Sequence, residues 1–174
     1  MGGSKQKARE QIEEIRKRNA FRGALLSAQI AQREKDVGAA AREYQQLTAQ
    51  YPDSQIGWAA LAATYIQQKQ WDAGWATLDR MQKATPNAPW LPCGIGRMAA
   101  ESGQQLDRGE AALKTYLAYT PKPGVDAPLA NAHWRLGTIY EKRGQTDAAR
   151  HEYQTAVSLD PKLTGAKDAL ARLK

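Results

Sequence analysis

The sequence predicts an all-α fold in which antiparallel helix pairs repeat along the chain as a solenoid. Four prolines, Pro52, Pro86, Pro121 and Pro161, close stretches of similar sequence, and the first two lie 34 residues apart. A period of that length holds two short helices, and such units become stable only by stacking on their neighbours. The composition agrees, because 42% hydrophobic and 25% charged residues are typical of a globular chain that buries a core.

Four segments come into register when the repeats begin at Phe21, Gln55, Pro89 and Ala130. One column in the first helices is small throughout, at Ala28, Ala62, Gly96 and Gly137. A second small column lies in the second helices, at Ala40, Gly74, Gly109 and Ala149. Larger apolar residues follow it at three- and four-residue steps, which is the stripe of an amphipathic helix. Small residues in both columns predict helices that approach one another closely.

The last of these segments, from Trp134 to Pro161, carries a family pattern. The matching residues are Leu136, Gly137, Tyr140, Gly144, Ala149, Tyr153, Ala156 and Pro161. On these residues the chain resembles the tetratricopeptide repeat family, whose fold is a right-handed superhelical solenoid of antiparallel helix pairs. The resemblance implies a repeat array over 21–163, with repeats at 21–54, 55–88, 89–122 and 130–163 and a connecting loop at 123–129.

Two of the repeats depart from this pattern. In the first, Ser27 and Ala31 stand where large residues are usual, so the inner seam is underfilled unless a preceding helix supplies bulk. In the third, Pro92 marks the start of a short first helix, since proline is favoured in the first turn. One extra residue also lies between the two helices of the third repeat, within 103–108.

Two flanking helices complete the prediction. Residues 5–20 form a basic N-terminal helix with Ala8, Ile12 and Ile15 on one face, which could cap the underfilled first repeat. Residues 164–174 form a C-terminal capping helix with one polar face.

The chain begins Met1-Gly2-Gly3-Ser4, so residues 1–4 read as a cloning leader. As written the chain is soluble and cytoplasmic, and a periplasmic location follows if a native signal peptide was removed. The localisation is therefore unknown. A single cysteine, Cys93, rules out an internal disulfide.

The sequence does not predict an enzyme, a cofactor or a metal site. His133 and His151 lie on different predicted helices and form no zinc pattern. Residues 94–99 match the letters of a dinucleotide-binding motif, but the preceding residues 89–93 contain two prolines and form no strand. We therefore expect no small-molecule substrate.

The resemblance implies a non-enzymatic scaffold or adaptor that holds a peptide or protein segment in a concave groove lined by the first helices. Carried over position by position, the candidate partner-binding residues are Arg22, Leu25, Gln29, Arg33, Ile66, Gln67, Trp90, Arg97, Trp134, Arg135, Thr138 and Lys142. Cations beside apolar side chains favour a partner with acidic and apolar residues. A plain packing role for the two tryptophans is an equal alternative.

Other functions stay open at this stage. The chain could be a structural module that assembles with itself through the Ala8, Ile12 and Ile15 stripe, or an engineered repeat protein. Binding of a polyanion by the basic N-terminal helix is a weaker candidate. The first 22 residues carry seven lysines and arginines, but three glutamates are interleaved with them, and no nucleic-acid-binding fold is suggested.

Overall fold

The structure, a computed structural model, describes residues 2–118 and 129–173. These residues form α-helices and short turns, with no strand among them. The helices are α1 (Gly2–Arg18), α2 (Ala20–Arg33), α3 (Val37–Gln50), α4 (Gln55–Gln67), α5 (Trp71–Ala84), α6 (Leu91–Ser102), α7 (Leu106–Ala118), α8 (Leu129–Lys142), α9 (Thr146–Leu159) and α10 (Thr164–Arg172). The predicted all-α fold of helix pairs is confirmed.

The chain divides into two compact units, Met1–Ala88 with α1 to α5 and Pro89–Lys174 with α6 to α10. In the first unit each helix packs against the next along the chain. In the second unit α6 pairs with α7 and α8 with α9, while α8 also packs against both α6 and α7. Helix α10 contacts α9 and α8. Short turns between packed neighbours make each pair an antiparallel hairpin.

The turn within three of the pairs has the same backbone geometry. Its central residue is left-handed, at Lys35 (φ 60°), Lys69 (φ 55°) and Gly144 (φ 73°). The amide of the following residue then donates to the carbonyl five residues back: Asp36 to Ala31, Gln70 to Tyr65 and Gln145 to Tyr140, each at 2.9 Å. This bond closes the end of the first helix. The turn between α6 and α7 holds the predicted extra residue, and there both Gly103 and Gln105 are left-handed.

Polar caps set where several helices begin. The side chains of Asn19, Asp36 and Ser54 accept hydrogen bonds from backbone amides in the first turns of α2, α3 and α4. Such caps satisfy amides that lack a partner within the helix. Pro92 lies in the first turn of α6, as the sequence predicts.

The small columns lie where paired helices meet. A Cβ added to Gly109 on α7 would lie 2.2 Å from Cβ of Ala99 on α6. One added to Gly137 on α8 would lie 2.6 Å from the ring of Tyr153 on α9. The alanines of these columns, Ala28, Ala40, Ala62 and Ala149, are buried. The close approach that the small residues predict is therefore present in both units.

Buried tyrosines also occupy matching places in two repeats. Tyr44 on α3 and Tyr153 on α9 are both buried. The hydroxyl of Tyr44 donates to Gln32, and that of Tyr153 donates to Glu141, in each case 12 residues earlier on the first helix of the same pair. In both repeats a buried tyrosine with a hydrogen-bonded hydroxyl thus joins the two helices.

The N-terminal helix differs in its bounds from the prediction. Helix α1 ends at Arg18, because Asn19 caps α2, which opens at Ala20. Ile12 is only 7% exposed, and a Cβ added to Gly23 of α2 would lie 2.5 Å from Cβ of Arg16. Helix α1 therefore packs on the first repeat, and the chain itself covers part of the stripe expected to mediate self-assembly.

The C-terminal residues form α10, whose Ala166 and Ala169 are buried. Leu129, which the sequence analysis places in the connecting loop, opens α8. The prediction for Pro121 and for loop residues 123–128 lies outside the described residues. Of the helices that the structure describes, none combines the length and the apolar character needed to cross a membrane.

Candidate functional site

The exposed face of α2 brings together four of the predicted contact residues. Arg22, Gln29 and Arg33 are exposed, and Leu25 is half-buried against the core of the first unit. Their spacing along the helix places them on one side of it. Within the described residues, the side chains of Arg22, Gln29 and Arg33 have no hydrogen-bond or ion-pair partner. Arg22, Leu25, Gln29 and Arg33 are together called the α2 face.

Contacts on the two flanks of α2 fix how this face is presented. Gly23 meets the backbone of α1, and Ala28 is buried in the cluster formed with α3 and α4. The side chain of Asn19 accepts from the amide of Arg22 at 2.9 Å and anchors the first turn. The α2 face is thus the side of the helix that α1 and α3 leave uncovered.

Helix α4 supplies less surface than the sequence predicts. Gln67 is exposed, but the side chain of Ile66 is only 3% exposed. Ile66 is therefore buried, whereas the sequence analysis places it among accessible groove residues. A periodic pattern identifies an apolar position without identifying the neighbour that covers it.

Both tryptophans of the predicted site pack on glycines of the second unit. The ring of Trp134 lies over Gly165 of α10, where an added Cβ would be 2.6 Å from the indole. The ring of Trp90 lies over Gly94, 2.2 Å from an added Cβ. The buried indole N–H of Trp90 has no hydrogen-bond partner in the part of the chain that the structure describes. These contacts favour the packing alternative for both rings.

The other predicted residues of the second unit are mostly engaged. Arg97 donates from Nε to Glu101 at 2.7 Å, and Arg135 donates from Nη1 to the sulfur of Cys93 at 3.1 Å. The hydroxyl of Thr138 donates to the carbonyl of Trp134, so it is used within α8. Lys142 is exposed at the end of α8.

A group of charges joins α7 to the end of α8. Glu110 accepts from Arg143 and from the hydroxyl of Tyr140, and it pairs with Lys114 at 2.6 Å. The hydrogen bond from Lys114 is the main cause that holds the pKa of the Glu110 carboxyl below its ordinary value. The charges of this group are paired with one another, and the contacts of Glu110 with Tyr140 and Arg143 hold α7 against the end of α8.

Sequence reasoning missed the polar contacts between helices, among them two that involve residues named in the sequence analysis. Nδ1 of His133 lies 2.6 Å from a carboxylate oxygen of Glu152, which joins α8 to α9. The contact between Arg135 and Cys93 joins α8 to α6. Predicting either contact requires knowing which helices are neighbours, and the spacing of residues along one helix does not provide that information.

No group of three or more histidine, cysteine or acidic side chains in 2–118 and 129–173 could hold a metal ion.

Comparison with known families decides the classification. Profiles described as tetratricopeptide repeat match residues 31–91 and 130–163, together more than half of the chain. The chain belongs to the tetratricopeptide repeat family. No curated protein matches it significantly.

Solved tetratricopeptide repeat (TPR) structures share the fold. A thermophilic TPR protein from Thermus thermophilus is 21% identical, with a TM-score of 0.70 over 95% of this chain and 88% of that one. MamA 41-end from Desulfovibrio magneticus RS-1 is 17% identical, with a TM-score of 0.72 over 89% and 84%. BtubC from P. vanneervenii is 16% identical, with a TM-score of 0.75 over 94% and 76%. The TPR fold supports a protein-interaction scaffold in general.

Proposed function

We propose that this TPR protein is a non-enzymatic adaptor that binds an acidic segment of another protein on the α2 face. The observation that carries the proposal is the row of Arg22, Gln29 and Arg33, exposed and without side-chain partners among the described residues. The second unit contrasts with this row, because Arg97 and Arg135 are already engaged.

The distance between the two arginines sets the length of the partner segment. Arg22 and Arg33 are 11 residues apart on one helix, which corresponds to about 16 Å at a rise of about 1.5 Å per residue. An extended peptide covers that distance with about five residues. A guanidinium binds a carboxylate through two parallel hydrogen bonds, and exposed Gln29 offers a donor and an acceptor between the two arginines.

Leu25 adds an apolar contact to this polar row. It is half-buried, so part of its side chain is accessible beside Arg22. We therefore infer that the partner segment carries two carboxylates about five residues apart and an apolar side chain between them. Gln67 in the first unit and Lys142 in the second are proposed as additional contacts, each within its own unit.

The experiment is a selection of binding peptides from a random displayed library on the intact chain. Selected sequences should be enriched in aspartate and glutamate, and affinity should fall at least about tenfold in an Arg22→Glu/Arg33→Glu variant. A matched control, Lys83→Glu/Lys167→Glu, changes the net charge equally at exposed sites on α5 and α10 and should bind nearly as the parent does. Circular dichroism verifies that all variants keep their helix content.

Two results would overturn the proposal. One is a set of selected peptides without any excess of acidic residues. The other is an equal loss of affinity in the two double variants, because non-specific attraction depends on net charge and not on the α2 face.

A further inference from the structure

Two large apolar side chains are exposed among the residues that the structure describes. Ile56, in the first turn of α4, is 59% exposed, and Leu159, the last residue of α9, is 53% exposed. A single apolar residue on a surface needs no explanation, so the neighbours decide whether it forms a contact site. Of the two, Ile56 lies in the first unit, which also carries the α2 face.

Ile56 is the repeat equivalent of Arg22. Each is the second residue of its repeat, because the first two repeats begin at Phe21 and Gln55. Continuing this register along α4 gives a row of equivalents to the α2 face, in which an isoleucine, two alanines and a glutamine replace the two arginines and their neighbours. Ile56 and the glutamine are exposed, and the two alanines are half-buried. This set, called the α4 row, consists of Ile56, Ala59, Ala63 and Gln67.

The α4 row lies beside the α2 face. Ala28 of α2 belongs to the same buried cluster as Leu61 and Tyr65 of α4, and Leu25 and Ala60 pack against that cluster. Short turns join α3 to both α2 and α4, and α3 packs against both helices, so α2 and α4 run in the same direction. A row with two arginines therefore borders a row without charge.

We propose that the α4 row is the apolar side of the binding site, and that the partner segment is an extended strand in which acidic and apolar residues alternate. This inference rests on the adaptor function proposed above. Successive side chains of an extended strand point to opposite sides. In a stretch of five residues, the first, third and fifth side chains then face Arg22, Leu25 and Arg33, and the second and fourth face the α4 row.

The chemistry of the α4 row selects an apolar side chain at those two positions. A carboxylate seated on Ile56 and Ala59 would lose water without gaining a hydrogen-bond donor, which costs free energy. An apolar side chain there is removed from water together with that of Ile56, which is favourable. Because Ile56 is the largest apolar side chain of the row and the alanines beside it are small, we assign to Ile56 the role of specificity-determining residue.

The test compares two peptides of equal charge by fluorescence anisotropy with the intact chain. One is Gly-Ser-Glu-Val-Leu-Val-Glu-Ser-Gly, and the other has serine in place of both valines. The valine peptide should bind at least about fivefold more tightly. In Ile56→Ala that preference should fall to about twofold or less. Leu159→Ala is the matched control, since it shortens an equally exposed side chain in the second unit, and it should keep the full preference.

Two outcomes would overturn the inference: equal affinity of the parent chain for the two peptides, and a preference that persists in Ile56→Ala. Neither outcome contradicts the adaptor proposal if Arg22→Glu/Arg33→Glu still weakens the binding of both peptides at least about tenfold. If that double variant binds both peptides as the parent does, the adaptor proposal is wrong, and the inference is overturned with it. Circular dichroism verifies that each variant keeps its helix content.

Discussion

Substitution of Gly109 by alanine tests a close contact between the paired helices α6 and α7. The added Cβ would lie 2.2 Å from Cβ of Ala99 and 3.0 Å from Cδ1 of Ile139. Carbon atoms pack best at about 3.5–4.0 Å, so α6 and α7 would have to separate by more than about 1 Å. The Ala99 methyl is attached directly to the backbone and cannot rotate away, which places the cost near the upper end of the roughly 1–3 kcal/mol typical of overpacking.

The intrinsic gain of alanine over glycine in a helix, about 1 kcal/mol, offsets part of that cost. We therefore expect Gly109→Ala to lower the free energy of unfolding by about 2 kcal/mol. The control is Gly38→Ala on α3, where the nearest atom to an added Cβ is a terminal nitrogen of Arg42 at 3.6 Å. It should be neutral or stabilising by up to about 1 kcal/mol.

Urea denaturation followed by circular dichroism measures both changes. A Gly109→Ala variant as stable as the Gly38→Ala variant would refute the reasoning, because it would show that the two helices do not meet at the glycine.

Three further predictions concern single residues. Lys69 has a left-handed backbone, so Lys69→Gly should raise the free energy of unfolding by about 0.5–1 kcal/mol in urea melts. Gly144 is also left-handed, and no atom lies within 4 Å of an added Cβ, so Gly144→Ala should lower the free energy of unfolding by about 1 kcal/mol through backbone strain alone. Gly23→Ala should displace α1, seen as faster hydrogen exchange confined to that helix; unchanged exchange there would contradict its packing on α2. Burial, then the hydrogen bond to Glu141, raises the pKa of Tyr153 above the ordinary value of about 10, so the stability it contributes is complete below that pH and falls as the pH rises above it. The pH dependence of unfolding between about pH 10 and 12 should therefore weaken in Tyr153→Phe, and an unchanged slope would contradict this.

Much of the fold follows from local sequence. The small columns and the stripes next to them depend only on helical periodicity, and the turn chemistry depends on a few residues such as Gly144 and Pro92. Matching residues in successive repeats then identify which helices pair. These signals require no knowledge of the rest of the chain, which is why the helix pairs could be predicted.

The candidate site was harder to predict because accessibility depends on distant neighbours. Trp134 reads as an exposed aromatic on a first helix, but its ring covers Gly165 on α10. Ile66 is buried although Gln67 beside it is exposed. Arg97 and Arg22 look alike in the sequence, and only the structure separates the engaged arginine from the one without a partner among the described residues.

The small residues of the first repeat correspond to an open space in the structure. Ser27 and Ala31 break columns that are large in the second and fourth repeats, and a pocket of about 210 Å³ between α1, α2 and α3 lies at that break. A departure from a repeat pattern can therefore indicate an open space between helices.

The most direct test of the central claim, that each repeat is a pair of helices in contact at small residues, is a nuclear Overhauser measurement between the methyl group of Ala99 and the α-protons of Gly109. The structure predicts a strong cross-peak, since the methyl group faces the glycine where α6 and α7 approach each other closely. Assigned resonances without a cross-peak would show that the two helices do not pair in this way.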